Sequence, residues 1–205
     1  MAQVKISADS GGGSVAIAGP ASTTGNANLS YTLPDATTGG VIRTTTTPGA
    51  ILQVVFASKT DISSGFSTLA WSDTGLEATI TPTTNSNKIL IQAKPCLSWD
   101  KAVTKMTAAI FKGSESDPLL RADAAGDRLR SHQGFYINED NYMPVALALD
   151  YLDSPNTTSA TTYKIRVSAL DNTGSVYMNR GSDSDSDATN VARMVSTITL
   201  MEVVA

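Results

Sequence analysis

Thiol and imidazole chemistry have almost nothing to work with in this chain: one cysteine, Cys96, and one histidine, His132, stand among 205 residues. A single thiol excludes an intrachain disulfide and a cysteine-based zinc site. Lys and Arg (15) are outnumbered by Asp and Glu (19), for a formal net charge of -4. That balance leaves no basic footprint for nucleic acid and no polybasic patch for an anionic membrane. No stretch approaches the roughly 18 consecutive apolar residues of a spanning helix. Met1-Ala-Gln-Val-Lys5 opens into polar sequence without the apolar segment of a signal peptide. The expectation is a soluble, cytoplasmic product, with no nucleic-acid partner, no membrane insertion and no cofactor. Runs of Ala, Leu, Glu and Lys at helical spacing are also nearly absent, so little helix is expected.

What is abundant is serine and threonine, about a quarter of the residues. Threonine is β-branched and suits a pleated strand, and the chain is rich in turn residues between short apolar runs. From Ile51 onward strand signals recur: 51–58, 66–71, 76–80, 88–94 with a continuation at 97–99 after Pro95, 106–112, 134–137, 143–152, 161–170, 176–179 and 191–204. Thr83–Asn87 and Gly113–Pro118 read as turns. The cleanest alternation places Tyr163, Ile165, Val167 and Ala169 on one face against Thr162, Lys164, Arg166 and Ser168. In the last run Met194, Ile198, Leu200 and Val204 share a face. This spacing, without helical crossovers, predicts an all-β fold: a short extended N-terminal arm followed by an antiparallel β-sandwich, jelly-roll-like.

The first 48 residues have a different character. Val15 and Ile17 alternate with small residues, Thr23-Thr24-Gly25-Asn26 supplies a turn, and Leu29, Tyr31 and Leu33 alternate up to Pro34. Two short strands and a bend cannot build a core alone, because a lone hairpin is marginal in water. Residues 35–48, with a four-threonine run, read as an extended linker. The expected division is an attachment and trimerisation arm over 1–48 and a sandwich over 49–205. Val15, Ile17, Leu29, Tyr31 and Leu33 are the candidate attachment and oligomerisation residues.

Candidate chemistry is sparse. Asp9-Ser-Gly-Gly12 matches the nucleophile segment of chymotrypsin-like proteases superficially, but Ala8 replaces the usual glycine and no base lies near. His132 reads as a surface or interface residue and Cys96 as a small buried hydrophobe. The run Asp183, Asp185, Asp187 raises a cation site, yet an EF-hand pattern from Asp183 requires glycine at Ala188 and glutamate at Met194. It is read as a solvated loop with a weak metal alternative. Tyr136 and Tyr142 flank an Asn/Glu/Asp loop and are candidate receptor contacts, where aromatic faces beside polar side chains suit sugar rings. No catalytic residue is assigned.

The wording Gly-Ser-Val-Ala-Ile-Ala-Gly-Pro-Ala-Ser-Thr-Thr-Gly-Asn-Ala-Asn-Leu-Ser-Tyr-Thr-Leu-Pro over 13–34 resembles the N-terminal segments of phage virion fibre proteins, particularly those of phages infecting cyanobacteria and marine bacteria. Pro48-Gly-Ala-Ile-Leu-Gln-Val-Val55 and Ile80-Thr-Pro-Thr-Thr-Asn-Ser-Asn-Lys-Ile-Leu-Ile91 look like the β-sandwich module that follows such segments. The resemblance implies a virion-located homotrimer, whose arms dock on other virion proteins while the sandwich projects toward a host surface glycan. Symmetric association would add avidity on a repeated surface. The resemblance departs in length, since 205 residues leave no long shaft. A short fibre or tail-associated protein is the first expectation, a capsid decoration protein the alternative, and a glycan-degrading enzyme a remote third.

Overall fold

The computed structural model describes residues 3–7, 14–18, 48–63, 65–99, 105–136, 144–170, 174–181 and 192–205. The chain divides into two compact units, Met1–Ile42 and Arg43–Ala205.

In the first unit, β1 (Gln3–Ser7) and β2 (Ser14–Ala18) form an antiparallel pair. Val4 stands opposite Ile17 and Ile6 opposite Val15, so the register sets β-branched residues against one another. The strand expected around Val15 and Ile17 is present, and its partner is upstream. Val4 and Ile6 alternate with Gln3, Lys5 and Ser7, and three glycines separate the strands in sequence. Leu29, Tyr31 and Leu33 lie outside the described residues.

The second unit is all-β, with no helix among the described residues. Its strands are β3 (Ile51–Lys59), β4 (Ser72–Ile80), β5 (Lys88–Lys94), β6 (Cys96–Trp99), β7 (Lys105–Lys112), β8 (Gln133–Tyr136), β9 (Val145–Ala146), β10 (Leu149–Asp153), β11 (Thr161–Ala169), β12 (Val176–Met178) and β13 (Ser196–Val203). They form one sheet in the order β10-β5-β13-β3 and another in the order β4-β11-β7-β8, all neighbours antiparallel. A third group, β12-β6-β9, continues the first sheet beyond Pro95. Proline has no N–H for the ladder, so the strand breaks there and exchanges β13 for β12 as neighbour. With β5–β6 and β9–β10 each taken as one broken strand, successive strands are distributed between two sheets in the jelly-roll order. The first and last strands are neighbours. Gly49 N donates to Val204 O at 2.8 Å and Val204 N to Ala50 O at 2.9 Å.

The inner faces meet in one core. Ile89, Ile91, Ala93, Leu149, Ile198 and Leu200 from the first sheet pack with Leu76, Ile80, Ile110, Tyr163, Ile165 and Val167 from the second. Each fully buried Leu or Ile contributes about 1.5–3 kcal/mol. The period-two face of β11 is buried throughout, as its alternation requires. A bulge sets Thr74, Gly75 and Leu76 of β4 against Ile165 alone, with Gly75 at φ +74° and Thr74 Oγ1 donating to Ile165 O at 2.7 Å. The positive φ favours glycine, and the extra residues keep Leu76 in the core.

Two buried polar centres tie the ends together. Glu202 on β13 is fully buried where the alternation alone predicts another apolar residue. Its carboxylate accepts from Thr83 N and Thr83 Oγ1 (both 2.7 Å), Asn87 Nδ2 (2.6 Å) and Gln53 Nε2 (2.6 Å). Asn179, buried at φ +63°, donates through Nδ2 to Lys59 O (2.8 Å) and Asp61 O (2.9 Å) and accepts from Ser196 Oγ at 2.6 Å.

The strand expected over 66–71 is not one. Phe66 makes a single bridge to Val176, and the carbonyls of Thr68 and Leu69 instead accept from Ala169 N (3.0 Å) and Ser168 Oγ (2.8 Å) at the end of β11. Trp71 meets Phe111 edge-on at 5.1 Å, so the segment crosses the second sheet as a cover.

The outer faces of the two sheets differ. On the second, Lys164 Nζ lies 3.2 Å from both Asp73 and Glu77, and Arg166 stacks over the Phe111 ring at 4.6 Å. On the first, the register places apolar residues outward across all four strands.

Candidate functional site

The turn after β7 and the loop between β10 and β11 frame an open pocket of about 470 Å3. Gly113 N donates to Thr162 O at 2.8 Å and fastens the turn to β11. The lining includes Ser114, Thr157, Ser159, Thr161 and Thr162, together with Lys112 and Glu115, and the Thr162 hydroxyl pairs with that of Thr79 at 2.7 Å. Lys112 Nζ sits 3.4 Å from Asp153 Oδ2 and 3.9 Å from Glu115 Oε1. Beneath it, Tyr163 Oη donates to the same Asp153 oxygen at 2.8 Å. Burial pushes the Tyr163 phenol far up, and the neighbouring carboxylate pushes it further. The phenol therefore stays protonated and serves as a donor.

Several hydroxyls that both donate and accept, one ammonium and one exposed carboxylate suit a polyhydroxylated ligand. The lining holds neither imidazole nor thiol. The Asp153 carboxylate is held by the Lys112 ammonium and the Tyr163 hydroxyl.

The residues singled out from sequence fall elsewhere. Val15 and Ile17 lie on β2, opposite Ile6 and Val4. Tyr136 closes β8, opposite Lys105 on β7. Tyr142, Asp183, Asp185 and Asp187 lie outside the described residues, as do Leu29, Tyr31 and Leu33. Cys96 is buried and points its thiol at Val195 O, 3.4 Å away; burial pushes the thiol pKa up. His132 is half-buried, its pKa lowered by burial and partly restored by Asp150. Among the described residues no group of three or more His, Cys, Asp or Glu is placed to hold a metal ion.

Sequence reading passed over the Lys112–Asp153–Tyr163 chain because its members sit in three separate runs. One signal was available. Asp153 ends a strong apolar run, and Tyr163 carries the polar tip on an otherwise apolar buried face. No protein-family model matches the chain, and no curated protein matches it.

Proposed function

We propose that the chain is a structural protein of a phage virion: a short homotrimeric fibre or tail-associated protein. Its N-terminal arm joins other virion proteins and its sandwich meets the host surface. The observation that carries this reading is the jelly-roll strand order of the second unit. Jelly rolls recur in viral capsid and lectin domains, and the warrant is one of fold analogy. The Ser- and Thr-rich pocket between the β7 turn and the β10–β11 loop supports the surface-binding part, since such side chains suit sugars.

Localisation on purified particles tests the proposal. Density or immunogold label confined to the tail is the expected result. Label at capsid threefold positions would assign a decoration role instead, and absence from particles would refute a virion role altogether. Release of reducing sugar from host polysaccharide by purified protein would overturn the non-enzymatic reading.

A further inference from the structure

A sandwich that faces water on both sides carries polar residues on the outer face of each sheet. The second sheet obeys this where segment 66–71 leaves it uncovered, with its Lys164–Asp73–Glu77 cluster. The first does not. Val54 on β3 stands opposite Met201 on β13, Met201 opposite Leu90 on β5, and Leu90 opposite Leu152 on β10. One row of four apolar side chains thus crosses the whole sheet on the face away from the core. Phe56 extends the apolar surface at the β3 edge, where the rest of its row is Thr199, Gln92 and Asp150, and Ile51 with Val203 flanks the other side. Ile51 is 53% exposed, Val54 59%, Phe56 62% and Leu152 45%.

We infer that this face is the contact surface between copies of this chain. Three observations favour a second copy as the occupant. The first is area: four strands at their usual spacing, over the length from Ile51 to Phe56, give about 400 Å2 per face. Two faces then bury about 800 Å2, the size of a weak, reversible contact. The second is charge. The chain has a formal net charge of -4, yet the charged residues on this face are Lys88, Lys94 and Asp150, at its margins. Copies of an acidic chain thus approach through a face that carries more cations than anions, with both signs available for pairing at the rim. The third is the edge. β3 ends its sheet, and three of the exposed apolar residues sit on it, an arrangement that soluble proteins cover. The inference rests on the self-association part of the proposed function and relocates it: the contact is assigned to the sandwich instead of the arm.

The test is the mass of the full-length chain by size exclusion with light scattering, beside its thermal melt. Wild-type protein is expected at a multiple of 21.4 kDa. Val54→Lys with Phe56→Lys is expected to bring the mass to one chain, because both side chains point outward and lysine on an edge strand repels its copy. If that double variant loses its melting transition, Leu152→Lys on the opposite edge of the same sheet takes its place with the same expected mass. A monomeric wild type overturns the inference together with the trimer. An oligomeric wild type that these folded variants leave intact, while Val15→Asp with Ile17→Asp dissociates it, overturns the inference and keeps the trimer.

Discussion

Replacing Glu202 by glutamine isolates how one buried carboxylate holds the turn between β4 and β5. The oxygen Oε1 receives three donors, from Thr83 N, Thr83 Oγ1 and Asn87 Nδ2, and Oε2 receives Gln53 Nε2. Glutamine keeps one carbonyl oxygen for the first three, now without charge, and turns an N–H2 toward the Gln53 donor. Gln53 cannot reverse its amide freely, because the same Nε2 also donates to Thr81 O at 2.8 Å. A hydrogen bond to a charged group contributes about 1.5–3 kcal/mol and a neutral one about 1 kcal/mol. One lost bond and three weakened ones, offset by the easier burial of a neutral group, give a destabilisation of about 3 kcal/mol. For a domain of this size that lowers Tm by about 10 °C.

The pH dependence supplies a second readout. Burial pushes the Glu202 carboxyl up, but the donors of Asn87, Gln53 and Thr83 together outweigh it and hold it below the ordinary glutamate value. A carboxyl depressed by folding stabilises the fold above its unfolded pKa, about 4.3, and loses that contribution as pH falls through the folded value. The Tm gap between wild type and Glu202→Gln is therefore widest near neutrality and closes in acid. Circular dichroism melts of both proteins from pH 7 to pH 3 measure it. Equal Tm values at pH 7, or a gap that widens in acid, would refute the reasoning.

Asn179→Ala removes donors to Lys59 O and Asp61 O and the acceptor for Ser196 Oγ, and leaves a β-carbon at φ +63°. A loss of about 3–4 kcal/mol is expected in urea unfolding, and Asn179→Gly should lose about 1 kcal/mol less because it relieves the backbone. Gly65→Ala would place its β-carbon 2.6 Å from Ser175 Cβ and 3.1 Å from the Tyr177 ring. A destabilisation of about 1–3 kcal/mol is expected from the same measurement, and an unchanged midpoint would show that the 65–66 segment moves aside without cost.

The strands that could be read from sequence are those with one buried face and one wet face. β11 is the clearest case: its alternation of Tyr163, Ile165, Val167 and Ala169 against polar residues mirrors its burial. β3 and β5 were located but their outer faces were not interpretable. In Ile51-Leu-Gln-Val-Val-Phe the apolar residues fall on both faces, and pattern alone does not say which one meets a core. Segment 66–71 misled because an apolar run that covers a sheet has the composition of one that joins it. Glu202 broke the alternation of β13, and nothing local in the sequence announces donors that lie over a hundred positions upstream. The pocket was illegible for the same reason, since it is assembled from two loops that only the jelly-roll crossing brings together.

The pairing of β3 with β13, fastened by the Gly49–Val204 and Val204–Ala50 hydrogen bonds, brings the domain's entry and exit to one point. A tension applied between residues 48 and 205 would unzip those two strands one rung at a time, starting from that point. A pull on residue 48 against the far loops would instead load every rung of the pair in shear. Cargo fused after Ala205 would emerge beside the entry point, at the same end of the sandwich as the β10–β11 loop and its pocket, and would crowd that pocket.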